Sequence, residues 1–357
     1  MPSGPPRFIQ VGTGGWGRRW CETFLKRLVD LGRARPVAAV DRDPAALEHA
    51  RAAFGIPEDA CYTSAEEAFA RHPAEFAAVV VPPAHHEELV RLAFAHGCDV
   101  VCEKPLADSI EASARILLAA QAAGRRLAVT MSHRFDQDKQ TLERVVRSGE
   151  FGRLHYVVGR LHYNLRHRGE WGAFRHEIEH PLLLEGAVHQ FDVARALTGA
   201  DAATVYATTW NPPWGEYAGD STALVVATMT NGVRVLYEGA KANAATLSPW
   251  EGEYWRAECE HATLELDRRR LRAWSRGPGG PDDVVVREIA LDERPAWANS
   301  WLVEQFVDWL EGGPPPPTQV SDNIQCAALT FAAVESAVSG RPVDVQAFLA
   351  DALSRST

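Results

Sequence analysis

The sequence predicts an α/β protein: a doubly wound parallel sheet over residues 1–131, followed by an α+β domain over 132–357 with a large, mostly antiparallel, open-faced sheet. Three observations predict it. Between residues 7 and 131, short apolar runs alternate with longer Ala- and Leu-rich amphipathic ones, and strands that are apolar throughout suit a parallel sheet covered on both faces. After residue 150 the texture changes to alternating strands with long turns, the pattern of an antiparallel sheet. A chain of 357 residues is also too long for one ordinary core.

Taken in order, the first domain's strands are "RFIQV", "PVAAV", "FAAVVV", "CDVVC" and "LAVTM". Its helices carry punctuation. Asp43-Pro44 reads as an N-cap with proline at the first helical position, Asp108 with Glu111 as a capping box, and Gly32, Gly97 and Gly124 as helix stops. A helix near 136–148 leads into the second domain, whose strands are "LHYVVGRLHY", "ATVYATTW", "TALVVATMT", "VRVLYEGAK", "YWRAECE" and "ATLELD". One strong helix interrupts them at 182–198. "RGPGGPDD" (276–283) reads as a hairpin tip, and "EGGPPPP" (311–317) as a stiff connector to a last apolar helix that can pack back toward the first domain.

Composition narrows the partner. A net charge of -10 and a pI near 5.7 argue against nucleic acid and anionic membranes, both of which demand a basic surface, and leave a small molecule. With 46% hydrophobic and 24% charged residues, no apolar run of spanning length and no signal-like start in "MPSGPP", the expected location is the cytoplasm. The six cysteines form no Cys-x-x-Cys pair, which fits reduced thiols rather than a disulfide frame or zinc knuckle.

The chemistry begins at Ile9–Trp20, "IQVGTGGWGRRW", where Gly12, Gly14 and Gly17 fall between the first strand and the first helix. Glycines there allow a tight turn, backbone approach to a pyrophosphate and close helix–strand packing. The second strand ends at Asp41, where such a fold places an acid against the adenosine ribose; this favours NAD, while Arg42 leaves NADP open. Two more strand ends face the same edge, "VPPAHH" at 81–86 and "VCEKPL" at 101–106. Lys104 then sits beside a nicotinamide, able to donate to a substrate oxygen; an exposed lysine in a strand-end turn is the plain alternative. On the 182–198 helix, Glu185, His189 and Asp192 are spaced by four and three, so all project from one face, with Gly186 leaving a gap beside them. A histidine between carboxylates is an oriented general base, and the same pattern also suits a solvated helix face.

His176-Glu-Ile-Glu-His180 spells the His-Glu-x-x-His zinc signature, which makes a metallohydrolase the competing class. Pro181 biases His180 out of the helical region, so the two histidines are not expected on one helical face, and no metal is expected.

Together, in this order, "VGTGGWG", "AVDRDP", "VVPPAHH", "CEKPLADS", "HRF" (133–135), "GEFGRLH", "EGAVHQFD" and "ESAVSGRPV" resemble the glucose-fructose oxidoreductase, inositol dehydrogenase and MocA family of NAD(P)-dependent oxidoreductases, over nearly the whole chain. The resemblance implies an N-terminal Rossmann domain and a catalytic pair, Lys104 and His189, with Lys104-Pro105 cis. It implies a cofactor site of Gly12, Thr13, Gly14, Gly15, Trp16, Gly17, Asp41, Arg42, Pro82, Pro83, His86, Glu103 and Lys104. Arg134, Trp171, Glu185, His189 and Asp192 join Lys104 around the substrate. Glu185 departs from the aspartate of many family dehydrogenases. The implied activity is interconversion of a secondary hydroxyl and a ketone on a sugar, cyclitol or related polyol. A redox-neutral glycosidase or epimerase that keeps its NAD, and a catalytically silent cofactor sensor, are the alternatives. An antiparallel sheet with helices on one face leaves its other, apolar face exposed, so a homodimer or homotetramer formed through the second-domain sheet is expected.

Overall fold

The computed structural model describes residues 4–356, and the chain divides into two compact units. The first takes the chain through Ser132 together with Ala296–Ile324 and the end from Ala352; the second takes His133–Pro295 and Gln325–Asp351. The stretch expected as one domain after residue 132 is thus shared between the units. Packing explains why. Phe306, on the helix Ala298–Leu310, sets its ring edge-on against Phe76 at 5.5 Å, Arg126 donates to the carbonyl of Trp309, and Val129 N–H donates to the carbonyl of Thr318.

The first unit holds six strands: β1 (Arg7–Val11), β2 (Arg35–Val40), β3 (Cys61–Tyr62), β4 (Phe76–Val79), β5 (Asp99–Cys102) and β6 (Leu127–Val129). Their spatial order is β3-β2-β1-β4-β5-β6 and every pairing is parallel, so the order reverses at β1 and β4, where a doubly wound sheet opens its ligand crevice. Phe8, Ile9 and Phe76 to Val79 are wholly buried, as strands covered on both faces require. Two expected caps shift. Asp43 Oδ1 accepts from Ala45 N–H and closes a turn, and the helix begins only at Leu47; Ser109, not Asp108, accepts from Ala112 N–H at the head of Ile110–Ala123. Ser109 is the N-cap residue and takes a free helical N–H, whereas the helix at Leu47 has no side-chain cap.

The second unit is a nine-stranded sheet: β7 (Leu154–His162), β8 (Ala202–Trp210), β9 (Thr222–Met229), β10 (Arg234–Ala240), β11 (Tyr254–Cys259), β12 (Thr263–Asp267), β13 (Arg270–Arg276), β14 (Val284–Ile289) and β15 (Val343–Asp344), in the order β14-β13-β12-β11-β7-β10-β9-β8-β15. All pairings are antiparallel except β7 with β10. A helix and two strands intervene between those two, a connection long enough for a crossover. The "RGPGGPDD" turn joins β13 to β14, an antiparallel hairpin as expected.

One face of this sheet is dry and the other open. Along β9, Ala223, Val225 and Ala227 are buried while Leu224 and Val226 are exposed. The register sets Tyr206, Val226 and Leu236 side by side on the open face, an apolar row across three strands. The helix at 182–198 lies in the core, with every residue from Val188 to Thr198 buried. Its first turn is not α: Leu182–Ala187 winds as a π-helix before Val188–Thr198 continues as α. The four-and-three spacing of Glu185, His189 and Asp192 therefore starts from a wider turn than an α-helix has.

Gly159 on β7 pairs with Trp255 on β11, and a Cβ there would stand 2.8 Å from the indole carbons. The glycine is the space the buried indole occupies. Gly159→Val is expected to displace Trp255 and lower stability by about 1–3 kcal/mol, the usual cost of overpacking a closed core. Denaturant unfolding checks it, with loss of the buried-indole fluorescence as the companion signal; an unchanged midpoint contradicts it.

Candidate active site

The glycine turn is built for close approach. Gly12 has φ +87°, and a Cβ on it would lie 2.0 Å from the carbonyl oxygen of Val80; one on Gly17 would lie 2.3 Å from the carbonyl oxygen of Gly12. Both positions admit only hydrogen. Gly15 precedes the helical stretch that starts at Trp16; no side chain caps that N-terminus, and a Cβ on Gly15 would meet nothing within 4 Å. An N-terminus without a side-chain cap suits a pyrophosphate. Asp41 holds the turn from beneath, with Oδ2 accepting from Thr13 and Gly14 N–H at 2.7 and 3.0 Å. The exposed Arg42 reaches His85, 3.2 Å away. These residues fit a dinucleotide.

At the neighbouring strand ends the side chains divide into two kinds. Glu103 is buried, its Oε1 accepting from the indole N–H groups of Trp16 and Trp20 at 2.6 and 2.7 Å and its Oε2 from Lys104 N–H. The carboxylate thereby ties the glycine turn to the backbone of Lys104, whose bond to Pro105 is cis. Pro82 and Pro83 lead a single 3₁₀ turn, Pro83–His85. His86 is wholly buried; its two ring nitrogens lie against the carbonyls of Pro105, Leu106 and Val81, and burial depresses its pKa despite those bonds. It pins two strand ends together and has no face toward a ligand.

In the second unit, His189 is 6% exposed, and its ring lies flat on that of His133, with centroids 3.9 Å apart and planes 17° from parallel. Trp250 closes the arrangement edge-on to both rings. Glu185 is buried and accepts from Arg175 Nε at 3.0 Å. Asp192 lies deeper than Glu185. It is wholly buried, with Oδ1 3.4 Å from Arg134 and 3.9 Å from Arg195, so Arg134 and Asp192 hold each other beneath the helix rather than lining a surface. Trp171 stands in an aromatic cluster: the Lys241 ammonium lies 4.0 Å from its ring centre, 3.8 Å from that of Trp250 and 4.7 Å from that of Tyr163. Those short distances to a buried cation give the rings a fixed wall.

The His176–His180 segment is not a helix. Ala173–His176 forms one 3₁₀ turn, His176 stacks on Tyr217 with centroids 4.1 Å apart, and among the described residues no group of three or more His, Cys, Asp or Glu could hold a metal.

The strongest electrostatic feature is one that sequence reasoning missed. Glu253, just before β11, is completely buried, and its Oε1 accepts from His133 Nδ1 and Gln190 Nε2, each at 2.6 Å. Lys139, equally buried, places its ammonium 3.5 Å from the other oxygen, 2.9 Å from Asp136 and 3.2 Å from Asp138. Burial alone would push the Glu253 carboxyl up; the Lys139 ammonium and His133 outweigh it and hold the group at about 2. Lys139 is pushed up in turn, its three carboxylates overcoming the burial that would lower it, while burial raises Asp136. "DQDK" at 136–139 looks like an exposed helix start, and nothing in the sequence pairs it with a glutamate 114 residues later.

This charge has a pH signature. The folded pKa of Glu253 lies below its ordinary 4.5, so its stabilisation is present above that value and lost as the pH falls from 4.5 toward 2. The amount is of the order of 3 kcal/mol. The gap in melting temperature between wild type and Glu253→Gln is expected to shrink as the pH falls below 4.5. A gap independent of pH down to 2.5 contradicts it.

Comparison with known proteins agrees with the geometry. Residues 7–131 match the model of the oxidoreductase family with an NAD-binding Rossmann fold, and residues 139–264 match the GFO/IDH/MocA C-terminal domain. The protein y4oX of Sinorhizobium fredii is 42% identical over 96% of each chain. The D-apiose dehydrogenase of Rhizobium rhizogenes is 27% identical over 90% of this chain and 93% of its own. An oxidoreductase from Agrobacterium radiobacter, solved with NAD+, L-tartaric acid and magnesium, shares the fold with a TM-score of 0.82 at 23% identity, covering 96% of this chain and 99% of the other. No helix among the described residues is long and apolar enough to cross a membrane. The chain belongs to the Gfo/Idh/MocA family of NAD-binding oxidoreductases.

Proposed function

We propose that the chain interconverts a secondary hydroxyl and a ketone on a sugar, cyclitol or related polyol, with NAD as the redox partner. The observation that carries this reading is the setting of His189: a nearly buried imidazole on a fully packed helix, fixed by a ring stack whose far side is anchored to an ionised carboxylate. A general base needs such fixed orientation. Bound NAD supplies the hydride acceptor at nicotinamide C4.

The chain's own residues divide the remaining work. The turn from Gly12 to Gly17 and the uncapped helix start at Trp16 receive the pyrophosphate, with Pro82, Pro83 and Glu103 shaping the strand ends beside it. Asp41 accepts from the adenosine ribose and repels a 2′-phosphate, so NAD is preferred; NADP is admitted only where Arg42 turns inward. His189 takes the hydroxyl proton, and Lys104 donates to the oxygen as negative charge develops on it. Glu185 orients the base or neighbouring hydroxyls, Trp171 offers a flat apolar face to the ring, and Arg134 with Asp192 steadies the helix.

The experiment is a screen of sugars and cyclitols with NAD and NADP, read at the nicotinamide absorbance, followed by His189→Ala, Lys104→Ala and the double variant on the polyol found. Each single change is expected to lower turnover by about 100- to 10,000-fold, with the double costing far less than the product of the two, because the residues act on one oxygen. Near-normal turnover in His189→Ala with an unchanged pH profile overturns the reading.

The open face of the nine-stranded sheet, with Tyr206, Val226 and Leu236 in one row, supports a homodimer or homotetramer formed through that face. Sedimentation at micromolar concentration is expected to show the oligomer, and Val226→Lys to weaken it; wild type sedimenting only as monomer contradicts the assignment.

A further inference from the structure

The proposed function uses the His133–Glu253 pair only as the anchor of the ring stack. We propose that His133, held by Glu253, is a positioning residue for His189: it fixes the plane of the His189 ring and couples its own charge to the charge that ring acquires. The inference rests on the reading of His189 as the base and deepens it.

Three features of the geometry carry it. Glu253 is ionised and can only accept, so the nitrogen 2.6 Å away, Nδ1 of His133, carries the hydrogen and the tautomer of the neutral ring is fixed. The two imidazoles are stacked face to face at 3.9 Å, a geometry that places no ring N–H in line with a nitrogen of the other ring. No proton passes directly between them, and their coupling is through space. Finally, Trp250 stands edge-on to both rings, at 5.0 Å from His133 and 5.9 Å from His189, so the stack is held on a third side.

Stacking of two aromatic rings with like charge distributions is weak in the parallel arrangement, whereas a cation over a neutral ring is attracted to it. Two cations at this separation repel. The stack therefore favours one added proton and resists two. When His189 takes the substrate proton, the neutral face of His133, polarised by the Glu253 carboxylate, lies against the new cation. When His133 already carries a proton, the same contact opposes the transfer.

Other charges surround the pair. From the start of the helix Gln137–Arg147 come Lys139, which faces Glu253, and Asp136 and Asp138, which face Lys139. From the His189 helix come Asp192 with Arg134 and Arg195, and before it Glu185 with Arg175. Lys241 lies behind Trp250. Each of these cations stands beside a carboxylate or an aromatic face.

The test is a pH titration of ¹⁵N-labelled imidazole by NMR on the full chain without substrate, in wild type, His133→Phe and Glu253→Gln. In wild type the His189 signal is expected to move in more than one step, as a member of a coupled pair does. In His133→Phe, which keeps a flat ring, His189 is expected to lose one step and titrate singly. In Glu253→Gln, where the anion beside His133 is gone, the His189 curve is expected to be displaced from that of wild type. On the polyol that wild type oxidises, both variants are expected to lose turnover by about tenfold with KM changed less than about twofold, and the pH profile to be displaced. A His189 curve identical in all three proteins overturns the inference, as does an unchanged pH profile. Failure of the base reading shows elsewhere, in His189→Ala that still turns over.

Discussion

Glu253 carries a charge where no water reaches it, and the polar half of the second unit is arranged to meet that demand. A lone buried carboxylate would neutralise. Here Lys139, Gln190 and His133 each direct a donor at it, and Lys139 is in turn balanced by Asp136 and Asp138. Such a network is stabilising only when every member is present; removing one leaves the others unpaired in a low dielectric. The consequence for chemistry is positional. His133 cannot rotate without leaving Glu253, and His189 cannot tilt without losing its stack on His133 and Trp250.

The first unit reaches the same end by steric means. Gly12 and Gly17 stand where any Cβ would collide with a carbonyl oxygen, so the turn admits only glycine at both positions. Asp41 and Glu103 then fix it from two sides, one through the backbone of Thr13 and Gly14 and the other through two indoles. Neither carboxylate was drawn by sequence as a brace, because a motif shows which residues face a ligand and not what stands behind them.

That difference runs through the whole reading of the chain. The parallel sheet, the glycine turn and the placement of His189 on a strong helix were legible, since apolar runs, glycine spacing and helical period are local signals. Ala298–Leu310 could not be assigned to the first unit in the same way: its contact with Phe76 spans more than two hundred residues. The π turn at Leu182–Ala187 has no sequence mark that period-counting detects. Asp192 read as a ligand-facing acid because its spacing was right, whereas its depth and its arginines are set by tertiary packing. Glu253 and Lys241 lie in stretches that look like ordinary strand ends, and only the fold shows that they are buried.

The central claim is that a carbon-bound hydrogen of a polyol is moved to the nicotinamide. Turnover of a carbon-deuterated polyol with NAD, followed by mass spectrometry of the cofactor, measures that transfer most directly. The account predicts one deuterium in the reduced nicotinamide for each ketone formed. Product that accumulates while the cofactor stays free of deuterium contradicts it.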